Sequence, residues 1–343
     1  MCANMDEKYI YRCLQLARLG EYYVAPNPMV GAVLVGQDKQ GEEMILGEGW
    51  HEQYGGPHAE PNCIRNAENA HPEGIDYQSC TLYVSLEPCS HYGKTPPCAE
   101  LIIRKGIGRV VIGMLDPNPQ VAGRGIKMMQ EAGVEVRVGV LEDECRALNK
   151  RFICLHTKRR PYVILKWAQT ADGYIDIARD SGAPLLISTP LTKQLVHQQR
   201  AENMAIMVGT RTVLLDNPKL LNSRWSGRHP IRITVDRHGV LSPDSYIFSP
   251  DSPTIVYADN TDWSFVLSDL AARNIHSVLI EGGAILLQSI LDSGVYDEVH
   301  VEISKHTLPH DEESTSRGVN APNYIFKTLP TIIDGNKIFV EYR

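Results

Sequence analysis

Glu87-Pro88-Cys89-Ser90-His91-Tyr92-Gly93-Lys94-Thr95-Pro96-Pro97-Cys98, read together with His58-Ala59-Glu60, decides how the first half of this chain folds. One imidazole and two thiolates fill three corners of a zinc tetrahedron and leave the fourth for water. A structural zinc site would close the tetrahedron with a fourth protein ligand. This pattern, with His58, Cys89 and Cys98 as the metal ligands, stays open and reads as hydrolytic. Glu60 is not needed as a ligand and can move protons at that water. The spacing predicts one helix opening at His58 and a second from Cys98 to Lys105, ended by Gly106. Both ligand groups therefore fall at helix N-termini, where backbone N–H groups and the helix dipole favour thiolate over thiol.

Working outward, residues 6 to 19 have helical spacing, with Tyr9, Cys13, Leu16 and Ala17 on one face. Strands are expected at Met29 to Val35, Thr81 to Leu86, Arg109 to Met114 and Val134 to Val140, with a helix around Gly125 to Ala132. Such alternation argues for an α/β sheet layered with helices. The charged, amphipathic stretch from Glu142 to Arg160 holds the boundary, which divides the chain into residues 1–147 and 148–343. Alternation then restarts. Strands are expected at Tyr162 to Ala168, Met204 to Val208, Ile231 to Val235, Thr254 to Tyr257, Ser277 to Ile280 and Glu298 to Ile303. Helices are expected at Leu191 to Arg200, Trp263 to Arg273 and Ala284 to Asp292, and His306 to Asn323 is polar and without assigned structure.

At 343 residues the chain is about twice a typical domain, in keeping with two. No apolar run approaches the roughly 20 residues that span a bilayer, and the acidic start, Met1 to Lys8, does not resemble a secretion signal. Eight cysteines are too few for a disulfide scaffold, and Cys2, Cys13, Cys63, Cys80, Cys145 and Cys154 read as buried small hydrophobes. A cytoplasmic setting is the resulting expectation. The net charge of −7 and 7% aromatic content speak against a nucleic-acid partner and for a small-molecule substrate. The Ser-His-Tyr-Gly-Lys-Thr insert between the cysteines is richer than a spacer requires, and its His91 and Lys94 suit a phosphate or a polar ring. His51 lies seven residues before His58 and can reach the same pocket.

With Pro26-Asn27-Pro28-Met29-Val30-Gly31-Ala32 and His51 added, this set resembles the bifunctional riboflavin-biosynthesis deaminase/reductase family. Nucleic-acid deaminases of the superfamily usually separate the two cysteines by only two residues, so the eight-residue insert is the specific part. The resemblance implies a cytidine-deaminase-like three-layer α/β/α domain. It also implies that Glu60 is catalytic and that Asn27, His51, His91 and Lys94 hold a pyrimidine and its ribose phosphate. Pro61 after Glu60 departs from the pattern, and proline is tolerated in a first helical turn.

The second half holds no G-x-G-x-x-G and no P-loop. Its best local signal is Ser277-Val278-Leu279-Ile280-Glu281-Gly282-Gly283 leading into a helix, a place where backbone amides receive phosphate. Pro161 to Lys166, Thr170-Ala171-Asp172-Gly173, Val208 to Val213 and Asp216-Asn217-Pro218 extend the resemblance over nearly the whole chain. It implies a dihydrofolate-reductase-like α/β domain using NADPH. Ala168, Thr212, Asp216, Glu281, Gly282 and Gly283 would then meet the cofactor, and Arg200, Leu220 and Arg224 the substrate. Ser223 stands where the family has arginine, with Arg224 one place later, Leu186-Ile187-Ser188 replaces Trp-Ile-Thr, and residues 176–184 form a longer loop. The implied function is zinc-dependent deamination of a phosphorylated diaminopyrimidine, then NADPH-dependent reduction of the ribosyl group of the uracil product, in a homo-oligomer (dimer or tetramer). Rival readings are a deaminase with a degenerate reductase, a nucleic-acid-editing zinc deaminase and a zinc-stabilised scaffold.

Overall fold

A computed structural model describes residues 2–38, 40–92, 96–118, 122–180, 183–308 and 318–343. The chain forms two compact units, Met1–Lys158 and Arg159–Arg343.

The first unit runs α1 (Cys2–Arg18), β1 (Gly31–Gln37), β2 (Glu43–Trp50), α2 (Ala59–Ala70), β3 (Thr81–Leu86), α3 (Cys98–Lys105), β4 (Arg109–Met114), α4 (Arg124–Glu131), β5 (Glu135–Val138), α5 (Glu142–Leu148) and α6 (Lys150–Lys158). Its five strands lie in the order β2-β1-β3-β4-β5. β1 is antiparallel to both neighbours, whereas β3, β4 and β5 are parallel. α1 and α5 pack on one face of the sheet and α2 and α4 on the other, with α3 beside them, which gives three layers. β3 and β4 are buried along nearly their whole length, as apolar parallel strands covered on both faces must be.

β3, α3 and β4 keep the limits expected from sequence, and Gly106 ends α3 in the left-handed conformation (φ 74°) that glycine takes without a Cβ clash. α1 starts earlier than expected, at Cys2, and the expected strand Val134 to Val140 shortens to β5. β2 is an element that the sequence pattern does not announce. Cys13, Cys63, Cys80, Cys145 and Cys154 are buried thiols outside any disulfide. The 147/148 division expected from sequence differs from the boundary of the compact units, which falls after α6. The physical reason is that Ile153 of α6 packs on the first unit's core and α5 contacts α6 directly.

The second unit contains β6 (Tyr162–Gln169), β7 (Tyr174–Ile177), α7 (Pro190–Glu202), β8 (Ala205–Val208), α8 (Thr210–Asp216), β9 (Ile231–Val235), β10 (Thr254–Tyr257), α9 (Trp263–Ala272), β11 (Ser277–Gly282), α10 (Ala284–Ser293), β12 (Glu298–Ile303), β13 (Gly318–Asn320), β14 (Thr331–Ile333) and β15 (Asn336–Tyr342). Eight strands form one sheet in the order β10-β9-β8-β11-β6-β12-β15-β14, parallel from β10 to β12 and antiparallel at β15 and β14. β7 and β13 make a separate two-stranded ribbon, so the end of the unassigned tail is partly regular. The first strand–helix–strand unit, β6 to β8, passes through α7, whose N-cap Thr189 accepts from the Thr192 amide and whose first residue is Pro190. β7, α8 and β13 to β15 are further elements without a signal in the sequence pattern.

Candidate active sites

In the first unit the site is built on two glycines of β2. A Cβ on Gly49 would stand 2.3 Å from the Cys63 nitrogen and 2.7 Å from the Ala59 oxygen, and one on Gly47 2.6 Å from the Cys63 oxygen. α2 therefore lies directly on the strand backbone, and its N-terminus delivers His58 as N-cap and Glu60 in the first turn. On the neighbouring side, β3 ends at Leu86 and Glu87 anchors the chain beyond it. Its carboxylate accepts from the amides of Asp116 (3.2 Å), Gly123 (3.0 Å) and Gly125 (3.2 Å), tying the Pro88-Cys89 turn to the segments before α4.

Three donor atoms meet where these ends converge. His58 Nδ1 lies 3.6 Å from Cys89 Sγ and 3.4 Å from Cys98 Sγ, and the Cys98 amide donates to Cys89 Sγ at 3.3 Å. Tetrahedral Zn–S and Zn–N bonds of ordinary length put such atoms about 3.5 Å apart, so the donor set fits zinc. Among the described residues these three are the metal-ligand cluster. The hydrogen bond from the Cys98 thiol lowers the Cys89 thiol to about 4, and Cys98, as donor, is raised. The pair thus carries negative charge toward a cation. Glu60 is 3% exposed, and burial pushes its carboxyl up to about 7 against the opposing pull of His58.

A cavity of about 320 Å³ opens over this cluster and is lined by Asn27, His51, His58, Glu60, Cys89 and His91. Lys94 lies outside the described residues. His51 Nδ1 donates to the Pro57 carbonyl at 2.9 Å, which leaves Nε2 to accept from the Asn27 amide nitrogen at 3.0 Å. Burial lowers the His51 pKa, so this ring is neutral with a fixed tautomer. Asp116, Asn118, Phe152 and His156 also line the cavity and were not expected from the sequence. Asp116-Pro117-Asn118 follows β4 at the carboxyl end of a parallel sheet, a position that marks ligand crevices and was a usable signal. Phe152 and His156 come from α6, their rings 4.4 Å apart, and no motif announces them.

The second unit has a cavity of about 880 Å³ at the carboxyl ends of β8 and β9, and it gathers Thr212, Asp216 and Gly283. The Gly283 amide donates to Thr212 Oγ1 at 3.2 Å. Ala168, Glu281 and Gly282 are not among its lining residues. Glu281 instead forms a two-pronged ion pair with Arg200, at 2.9 and 2.6 Å, and Arg200 also donates to the Leu221 carbonyl at 3.0 Å. Lys166 of β6 feels both the Glu281 and Glu302 carboxylates, while burial pushes its ammonium down. Sequence alone gives Lys166 no role. Leu220 is 4% exposed, in a left-handed conformation (φ 56°), and clusters with Ile206, Val208, Val213 and Ile247. Ser223 and Arg224 are exposed and outside the cavity lining. The stretch expected as a long loop begins inside β7 and has a visible consequence. Its Arg179 sits between Asp176 (3.0 Å) and Asp216, so the Asp216 carboxylate already has a cationic partner.

Two family models match the chain: the cytidine and deoxycytidylate deaminase zinc-binding region over residues 3–114 and the RibD C-terminal domain over residues 161–308. Fold and site together define a zinc-dependent deaminase joined to an NADPH-dependent reductase. The riboflavin biosynthesis protein RibD of Actinobacillus pleuropneumoniae is 37% identical, over 98% of this chain and 95% of its own. That of Escherichia coli K12 is 35% identical over 94% and 96%. A solved Thermotoga maritima diaminohydroxyphosphoribosylaminopyrimidine deaminase/5-amino-6-(5-phosphoribosylamino)uracil reductase is 36% identical, covers 99% of both chains and superposes with a TM-score of 0.85. The chain belongs to the RibD family and is a bifunctional enzyme of riboflavin biosynthesis.

Proposed function

We propose that the first unit deaminates 2,5-diamino-6-ribosylamino-4(3H)-pyrimidinone 5′-phosphate and that the second reduces the ribosyl group of the resulting 5-amino-6-(5-phosphoribosylamino)uracil to ribityl. The observation that carries the first step is Glu60, buried at the floor of a cavity beside the His58, Cys89 and Cys98 donor atoms. Zinc held by these three residues supplies a Lewis acid beside which water ionises near neutral pH. Glu60 takes the proton from the attacking water and returns it to the departing amino nitrogen. A buried carboxyl beside the donor atoms is placed for both transfers. Asn27 and neutral His51 form a fixed hydrogen-bonding wall for the pyrimidine, and His91 and Lys94 serve its ribose phosphate.

In the second unit, bound NADPH supplies the hydride, with Thr212, Asp216 and Gly283 as cofactor contacts beside Ala168, Glu281 and Gly282. Glu281 holds Arg200 in place toward the substrate, together with Leu220 and Arg224. Cysteines outside disulfides suit a reducing cytoplasm, and among the described residues no helix is long and apolar enough to cross a membrane. Exposed Leu186 in the second unit suits a homo-oligomeric contact, readable by light scattering.

The test is Glu60→Gln in the full chain, with zinc content and ammonia release measured together. Zinc stays bound and deamination falls by about 100-fold or more, within the range for loss of a general acid–base. Full zinc with unchanged ammonia release would remove Glu60 from this role.

A further inference from the structure

The reductase cofactor differs from NADH only by a 2′-phosphate, so a chain that prefers NADPH needs cations where that phosphate lies. The basic side chains lining the second unit's cavity are Arg179, Arg211, Arg237 and His238. Arg179 is spent, since its guanidinium is 6% exposed and paired with both Asp176 and Asp216. Asp236, the acidic neighbour of Arg237, is also engaged, accepting from the amides of Val240 (3.0 Å) and Leu241 (3.1 Å).

Arg211, Arg237 and His238 remain at the cavity wall, and the two arginines, both exposed, have no carboxylate partner among the described residues. Their positions are matched. β8 and β9 are parallel neighbours in which Val208 pairs with Thr234, and each arginine follows its paired residue by three. Thr210 Oγ1 donates to the Val235 carbonyl, which ties the two turns together. Arg211 is anchored by donating to the Arg179 carbonyl at 3.1 Å, and Arg237 by donating to Thr261 Oγ1. In doubly wound sheets, an arginine just past a strand next to the phosphate-binding strand is the group that accommodates a 2′-phosphate. A guanidinium also presents paired donors in a geometry that matches phosphate oxygens.

We propose that Arg237, with Arg211 beside it, reads the 2′-phosphate of NADPH and sets the preference of this reductase for NADPH over NADH. The inference rests on the reading of this cavity as the cofactor site. The decisive experiment is equilibrium titration of the full chain with NADPH and with NADH, followed by nucleotide fluorescence, for wild type, Arg237→Ala, Arg211→Ala and Arg237→Lys. NADPH affinity falls at least about tenfold in Arg237→Ala, as expected for losing a charge-assisted hydrogen bond. NADH affinity stays level, Arg237→Lys keeps part of the preference, and Arg211→Ala shows the smaller loss. Retained NADH binding and an unchanged urea-unfolding curve report that the second unit of each variant is intact. Wild type that binds neither nucleotide refutes the reading of the cavity itself. Wild type that binds NADPH, with variants that bind it equally well or lose both nucleotides in parallel, overturns the assignment of the arginines alone.

Discussion

Replacing Gly49 by alanine tests how the deaminase donor set is held in place. The added methyl meets the backbone nitrogen of Cys63 at 2.3 Å, the Ala59 oxygen at 2.7 Å and the Asn62 carbonyl carbon at 2.8 Å. None of these is a side chain that can rotate away, so relief requires α2 to lift from β2 by about 1 Å to reach ordinary contact. Overpacking of this kind costs about 1–3 kcal/mol, which lowers the melting temperature of a unit of this size by about 2–4 °C per kcal/mol. The functional cost is larger. His58 and Glu60 ride on the lifted helix end, whereas Cys89 and Cys98 belong to the β3–α3 connection. Zinc–ligand distances tolerate only about 0.2 Å, and a 1 Å misplacement of reacting groups costs on the order of 100-fold in rate. The assay is zinc per chain and ammonia release on the full-length protein, with NADPH oxidation on the deaminated substrate as the internal control. The expected result is reduced zinc and deamination with intact reduction. A variant that keeps full zinc, full ammonia release and the wild-type melting temperature would show that the close strand–helix contact does not position the ligands.

Removing zinc with a chelator stops ammonia release and leaves NADPH oxidation on the deaminated substrate in place; loss of both activities would contradict their assignment to separate units. Arg200→Ala leaves the Glu281 carboxylate, 10% exposed, without its partner and destabilises the second unit by about 3 kcal/mol in urea unfolding, the low end for breaking a buried pair because Arg200 keeps 16% exposure. Asp6→Asn removes the negative charge facing Arg109 (2.9 Å) and Arg137 (2.6 Å) and turns one of its two acceptor oxygens into a donor, which costs about 1–3 kcal/mol at neutral pH. Burial raises the Asp6 carboxyl, but the Arg109 and Tyr83 hydrogen bonds and the arginine charges outweigh it, and its pKa is lowered. Its stabilising contribution is therefore present above the unfolded value near 4 and lost as pH falls through the lower folded value. The gap between wild type and Asp6→Asn narrows over that acid window, and a gap that widened there would refute the sign.

How much of the structure is legible in the sequence depends on how local each signal is. β3, α3, β4, β9, β10 and β12 are apolar runs bounded by turn residues, and their limits are readable from the chain alone. The zinc donors are readable because three residue types at fixed spacing carry the chemistry by themselves. β2 is hidden because Gly47 and Gly49 supply no side chains to the alternation; their contribution is the absence of a Cβ under α2. β14 and β15 are antiparallel additions at the far side of the sheet, without a helix between them to set a rhythm. The pairing of Arg200 with Glu281 depends on α7 and β11 being brought together by a strand order in which β11 lies between β6 and β8. No spacing in the sequence encodes that. Arg179 shows the same limit from another side: the length of its loop is visible in the sequence, but its seat between Asp176 and Asp216 is not.

α6 gives the join between the two enzymes a second occupation. Phe152 and His156 are wall residues of the deaminase cavity, yet they stand only a few residues before the first strand of the reductase. Cutting the gene in the charged stretch after Leu148 would give a deaminase open on one side and a reductase trailing an amphipathic helix with no core to cover it. The stretch that looks like a tether in the sequence is thus part of the first compact unit, which runs through Lys158.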